Sequence, residues 1–209
     1  RTFRKEKIKN KRALQAELGL EQDDRKMMIG IVSRLTWQKG VYLIIEKMAD
    51  IMGLDVQFVV LGTGETHIEN QFKMMEDKYR RRAVYYCGYN DELAHRIYAG
   101  CELFLMPSLF EPCGIGQLIA MHYGSLPLVR ETGGLRDTVH PYNQYTKEGN
   151  GFSFTAFNSH DMLYTLRCAA DAYYLNRADW DQLVQQAMGT DVSWNLSADQ
   201  YTKLYNEMD

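Results

Sequence analysis

Short apolar runs punctuate the chain, and a stretch with helical spacing follows nearly every one. Residues 27–32, 56–61, 83–87, 102–106, 126–129 and 152–154 read as strands. Pro127 marks the start of the fifth, because proline cannot donate within a ladder. Helical spacing runs over 2–18, 41–52, from just after Glu65 to Arg81, 92–99, from Ile115 onward, 159–175, 178–188 and 197–208. Gly19 fits a helix C-cap and Asp91 an N-cap. Strands alternating with helices across short loops predict an α/β fold, a parallel sheet with helices on both faces. Right-handed crossovers then put every strand-to-helix loop along one edge. Arg34, Lys39, Gly62, Gly64, Tyr89, Glu111, Gly133 and Gly134 all fall on such loops.

The sharpest of these loops is Pro107-Ser108-Leu109-Phe110-Glu111-Pro112-Cys113-Gly114. It places one carboxylate between two prolines, after a buried strand and just before a helix start. Ligands of open parallel sheets bind at that edge, and helix starts favour anions. Arg34 can clamp phosphate oxygens with two N–H groups, and Lys39 adds a compact charge. Gly133-Gly134 permits close approach of backbone to an anion. Tyr89 can stack on a base, and Glu111 can accept hydrogen bonds from sugar hydroxyls. Phe110 is expected to be buried, so its neighbour Glu111 should have a partner.

Each residue also has a plainer reading. Arg34 and Lys39 serve equally as surface charges, Gly133-Gly134 as a turn, and Tyr89 as a packed loop aromatic. Cys113 reads as a small packed residue rather than a nucleophile.

Length and charge narrow the picture. A chain of 209 residues is one domain's worth and long enough for its own core. Twenty-four Lys and Arg against 27 Asp and Glu leave a net charge of −3, which gives no case for nucleic acid. The basic opening (Arg1, Arg4, Lys5, Lys7, Lys9, Lys11, Arg12) reads as a solvated helix face. Four separated cysteines argue against disulfides or zinc, and the five histidines lack metal-ligand spacing. No apolar run approaches the ~18 residues of a membrane span, and no signal peptide is visible. The chain opens without Met inside a helical stretch, as expected of an excised piece of a longer polypeptide.

Three segments carry a family resemblance. Ser33-Arg34-Leu35-Thr36-Trp37-Gln38-Lys39-Gly40, Phe110-Glu111-Pro112-Cys113-Gly114 and Arg130-Glu131-Thr132-Gly133-Gly134-Leu135-Arg136-Asp137-Thr138-Val139 closely resemble the C-terminal domain of bacterial glycogen synthases and plant starch synthases. Ser193-Trp194-Asn195-Leu196-Ser197-Ala198 fits as well. The resemblance implies a Rossmann-like domain over 1–209, the C-terminal half of the two-domain GT-B architecture. It implies a retaining glycosyltransferase moving glucose from ADP-glucose to the 4-hydroxyl of an α-1,4-glucan. Arg34 and Lys39 match the diphosphate-binding cations, Tyr89 the adenine-stacking position, and Glu111 the carboxylate that holds the donor glucose. Backbone groups near Cys113 and Gly114 help Glu111, and Thr132, Gly133 and Gly134 match a loop near sugar and phosphates.

The resemblance requires no metal or other cofactor. Partners are the nucleotide sugar, the glucan acceptor and an N-terminal domain of the same polypeptide, without nucleic acid or membrane. The implied location is the cytoplasm, or the plastid in a plant, and the isolated domain is expected to be inactive. Two departures stand out. Gly116 sits where relatives often have a Thr hydroxyl for phosphate. Ile119 stands eight positions after Glu111, where other GT-B enzymes carry a ribose-binding Glu. That second absence favours the synthase branch. The competing expectations are a GT-B domain for UDP- or GDP-sugars and a non-catalytic nucleotide- or glucan-sensing module.

Overall fold

The six apolar runs have few polar side chains, so their backbone groups find partners mainly in one another. The computed structural model describes residues 2–207. In it the runs become β1 (Met28–Val32), β2 (Gln57–Gly62), β3 (Ala83–Cys87), β4 (Leu103–Met106), β5 (Leu126–Arg130) and β6 (Phe152–Phe154). They form a six-stranded sheet in the order β3-β2-β1-β4-β5-β6, and every neighbouring pair is parallel. The sheet grows outward from β1 to β3, then the chain crosses back to lay β4 on the other side of β1. The carboxyl ends of β1 and β4 therefore splay apart into a crevice.

Connecting helices cover both faces. They are α1 (Thr2–Glu17), α2 (Val41–Met52), α3 (Thr66–Lys78), α4 (Asp91–Gly100), α5 (Gly116–His122), α6 (Gly133–Thr138), α7 (Ser159–Leu175) and α8 (Arg177–Met188), while a further helix, α9 (Trp194–Asn206), is exposed along its length. The period of two along each strand divides the core. Ile29, Ile31, Phe58 and Val60 join the cluster under α2, α3, α7 and α8. Met28, Val59, Leu61 and Phe104 join the one under α1 and α4. Helix α1 ends as expected at Gly19, which has a φ of 67°. Its N–H donates to Ala16 and that of Leu20 to Gln15, the paired bonds of a Schellman motif.

Away from the site, the structure corrects four expectations. The N-cap of α4 is Asn90, whose Oδ1 accepts from the Leu93 N–H at 2.9 Å, and Asp91 is already helical. Helix α3 stops at Lys78, because the chain reverses through Arg81 at a φ of 64°. The last helix starts at Trp194, and its expected end at Met208 lies outside the described residues.

The fourth correction is chemical. The basic stretch is not wholly solvated, although Arg1 lies outside the described residues. Lys7 and Lys11 share a helical stripe with Leu14 and turn inward with it. Lys11 is fully buried against Glu102. Lys7 as a residue is half-buried, yet its amine donates to Tyr98 O and Tyr123 O at 3.1 Å and to Ser125 Oγ at 2.6 Å.

Burial of that amine lowers its pKa from 10.5 to about 8. Below about pH 8 the folded and unfolded chains both carry the proton, and the folded state bears the full penalty. Between about 8 and 10.5 only the unfolded chain keeps the proton, so Lys7 contributes rising stability across that window. Lys7→Met is expected to flatten this rise. Urea midpoints of both proteins across the window test it, and a difference between them that ignores pH would refute the assignment.

Candidate functional site

The crevice between β1 and β4 is built by loops that hold one another through main-chain contacts. The loop after β1 carries Arg34 and Lys39, the latter in a 3₁₀ turn, Trp37–Lys39. It is tied to the loop after β2: Leu35 N–H donates to Thr63 O and Glu65 N–H to Leu35 O, both at 2.9 Å. The Glu65 carboxylate accepts from the Trp37 N–H at 2.9 Å. The Gly64 N–H and the Thr63 hydroxyl in turn hold the Glu69 carboxyl below the usual range.

Gly40 then lets the loop meet the one after β4. Its φ is 70°, and a Cβ there would lie 1.9 Å from the Pro107 carbonyl oxygen. One residue pair further on, Leu109 N–H donates to Gln38 O at 2.9 Å. Arg130, at the end of β5, donates to Leu109 O at 2.7 Å and fixes the same loop from behind.

Gly133 and Gly134 press the start of α6 against the Glu111 loop. A Cβ on either would lie 2.1 Å from the carbonyl oxygen of Glu111 or Cys113 respectively. The Gly134 N–H donates to Pro112 O at 3.1 Å. The close approach these glycines permit is therefore to the Glu111 loop. Gly134→Ala is expected to push that loop away and cost about 1–3 kcal/mol. An unchanged urea midpoint in this variant would show that the two loops separate freely.

The result is a cavity of about 390 Å³ with Ser33, Arg34 and Lys39 on one side and Glu111, Gly114 and Gly116 on the other. Lys39 Nζ lies 2.5 Å from Glu111 Oε2, and both side chains are largely buried. Arg34 makes no ion pair among the described residues, so its guanidinium is available to an anion. A smaller cleft of about 220 Å³ adjoins the first and shares Val32, Ser33 and Arg34 with it. Tyr89 and Asn90 line its far wall, and Tyr89 is 88% exposed. Arg34 thus stands between an aromatic platform and the Lys39–Glu111 pair.

The structure brings Arg34, Lys39, Glu111 and Gly114 to one cavity and Tyr89 to its neighbour. Cys113 is exposed, and with Thr132, Gly133 and Gly134 it lies on the adjoining loops rather than among the lining residues. Phe110 is 57% exposed, against expectation. Glu111 does have a partner, Lys39, but burial of Phe110 is not the reason. Sequence reasoning missed Ser33, Ser108 and Asn90 as lining residues and Arg130 as the brace of the Glu111 loop. The signal for Ser33 and Asn90 was position: each adjoins a residue already singled out at a strand's carboxyl end.

Comparison with known proteins follows the same geometry. The family model Glycosyl transferases group 1 matches residues 13–167. A glycogen synthase of Lachnospira eligens is 54% identical over 207 residues, covering 99% of this chain and 43% of its own length. One from Bacillus cereus (strain ATCC 10987) is 53% identical over 203 residues, covering 97% of this chain and 42% of its own. The chain thus spans less than half the length of the curated relatives it matches.

Among solved structures, the catalytic domain of starch synthase IV from Arabidopsis thaliana, bound to ADP and acarbose, superposes with a TM-score of 0.87. It is 38% identical, and the match covers 96% of this chain and 42% of that one. The C-terminal domain of a group 1 glycosyl transferase from Francisella tularensis shares the fold, with a TM-score of 0.64 at 18% identity over 85% of this chain and 89% of that one. By sequence match and by fold, the chain belongs to the glycosyl transferases group 1 family.

Proposed function

We propose that residues 1–209 are the nucleotide-sugar-binding domain of a glycogen or starch synthase. The complete enzyme transfers glucose from ADP-glucose to the 4-hydroxyl of an α-1,4-glucan with retention of configuration. The observation that carries this reading is the convergence of Arg34, Lys39 and Glu111 on one cavity that adjoins the Tyr89 cleft. The order of these residues along the edge suits a nucleotide sugar: base on Tyr89, diphosphate at Arg34 and Lys39, glucose at Glu111. The names of the relatives, and the ADP in the Arabidopsis structure, support adenine over other bases.

In this reading the Lys39–Glu111 pair is the resting state. Donor binding draws Lys39 toward the diphosphate and frees Glu111 to accept hydrogen bonds from glucose hydroxyls. As the glycosidic bond breaks, charge builds on the leaving phosphate. Arg34 and Lys39 hold that charge more tightly than they hold the ground state. The family's same-face mechanism, in which the leaving phosphate assists the incoming hydroxyl, asks no nucleophile of the enzyme. The acceptor side falls to an N-terminal domain of the same polypeptide, and the exposed Trp194, Tyr201 and Tyr205 on α9 offer it an apolar surface. The location that goes with this activity is the cytoplasm, or the plastid in a plant.

Gly116 has room for more. A Cβ there would lie 3.4–3.5 Å from Phe104, Tyr98 and Met106, which is ordinary contact. Gly116→Thr is expected to tighten ADP binding several-fold by adding one charge-assisted hydrogen bond. Calorimetric titration with ADP checks it, and weaker binding would refute it.

The reading as a whole is tested by thermal shift with ADP or UDP. Ligand at ~100 times its dissociation constant stabilises by about 2.7 kcal/mol. Selective stabilisation by ADP is expected. Preference for UDP would move the chain to another branch of the family, and a null result with both would remove the donor-site assignment.

A further inference from the structure

At the opposite edge of the sheet lies a larger opening that the donor site does not use. The segment between α6 and β6 returns the chain to the amino end of β6. With α7 and α8 it walls a groove of about 840 Å³. Tyr164, Cys168 and Asp171 line it from one face of α7, and Tyr142, Asn143 and Tyr145 line it from the loop. Tyr145 and Tyr164 are 85% and 70% exposed.

The loop is held rather than loose. Tyr142 N–H donates to Gly151 O at 2.8 Å and Asn143 N–H to Glu148 O at 2.9 Å. Asn143 Oδ1 accepts from the Tyr145 N–H at 2.9 Å. The Tyr142 hydroxyl donates to Asp179 Oδ2, and Lys147 Nζ meets the same oxygen, both at 2.6 Å. Gln182 and Gln186 each donate to Lys147 O at 3.2 Å. Lys147 itself sits at a φ of 62°, a conformation that a non-glycine residue keeps only when its surroundings impose it.

We propose that this groove binds a linear α-1,4-linked glucan at a site separate from the donor cleft. The chemistry of the lining selects the class. Lys147 is neutralised by Asp179, and Asp171 makes no ion pair among the described residues, so the groove repels phosphates and other polyanions. Tyrosine hydroxyls, two asparagines, a glutamine and carboxylates interrupt the apolar surface, which suits a hydrophobic helix poorly. A neutral chain of pyranose rings fits both features. Flat tyrosine rings cover the C–H faces of the sugars, and carboxylates and amides take their neighbouring hydroxyls.

Position strengthens the case. The groove lies at the amino edge of the sheet and the donor cleft at the carboxyl edge, so an occupant reaches both only if it is a long chain. Anchoring the polymer there raises the effective concentration of its chain ends near the enzyme. The identity of the ligand rests on the glucan-synthase reading, whereas the groove does not.

Native electrophoresis of this chain through gels containing glycogen, with dextran as the α-1,6-linked control, tests the proposal. Glycogen is expected to retard the wild type and dextran is not. Tyr145→Ala/Tyr164→Ala should weaken retardation about tenfold, while the double Phe variant keeps most of it because the rings are retained. Both tyrosines are exposed, so the melting temperature and the ADP-induced shift should not change. Absence of retardation, equal retardation by dextran, or retardation indifferent to the double Ala variant would each overturn the groove assignment. The ADP shift on the same samples reports the donor site independently, so a failure of either reading is visible without the other.

Discussion

Lys11→Met is expected to lower the unfolding free energy by about 3–5 kcal/mol, the range for breaking a buried ion pair from one side. Lys11 is completely inaccessible, and its amine meets the two Glu102 oxygens at 3.0 and 3.1 Å. It also donates to the carbonyl oxygens of Asp24 and Lys26. Glu102 accepts in addition from the Met28 N–H at 2.7 Å. The pair therefore ties α1 to the amino ends of β1 and β4 at once. Removing Lys11 leaves a carboxylate buried with only one remaining donor, and that orphan accounts for the cost. Lys11→Met/Glu102→Leu removes the orphan too, so the double variant should be more stable than the Lys11 single variant. Its loss of the Met28 bond keeps it below the wild type. Urea unfolding of the two variants and the wild type measures this. A Lys11→Met midpoint within about 0.5 kcal/mol of wild type would mean that the amine is not held as described.

That pair also marks what the sequence could and could not disclose. The strands were legible because apolar runs of this length, too short for a helix of three turns, have few other options in a chain that alternates them with helical spacing. The alternating pattern of strands and helices placed the loops on a common edge. It did not reveal that β4 returns to the far side of β1, because strand order depends on packing between distant segments. The inward turn of Lys7 and Lys11 was hidden because a charged residue on an apolar stripe looks solvated until its partner is known. Glu102 at the head of an apolar strand was the available clue. Asn90 and Asp91 are both able caps, and the extended backbone at Asn90, with a φ of −151°, decides between them. At the site, Arg34, Lys39 and Glu111 came from loop position and chemistry. The Lys39–Glu111 contact and the Arg130 brace did not, since both join segments far apart in the chain.

In the complete enzyme, Arg34→Ala is expected to lower kcat/KM by about 30-fold to a thousandfold, or about 2–4 kcal/mol of transition-state stabilisation. Arg34 is the cation of the cavity with no competing ion pair among the described residues, and it lies between the two clefts. Its loss falls on the developing phosphate charge, so most of the effect should appear in kcat. Lys39→Ala should behave differently. It removes a cation and also leaves Glu111, largely buried and 2.5 Å from the missing amine, as an unpaired negative charge in the cavity where the proposed function puts the diphosphate. Donor binding should then weaken along with turnover. Lys39→Ala/Glu111→Gln removes that repulsion and should recover part of the ADP affinity, though not the activity, because the proposed function also has Glu111 hold the glucose. Near-normal turnover in both single variants would remove these two residues from the reaction. An ADP affinity in the double variant no better than in Lys39→Ala would show that the resting pair has no bearing on donor entry.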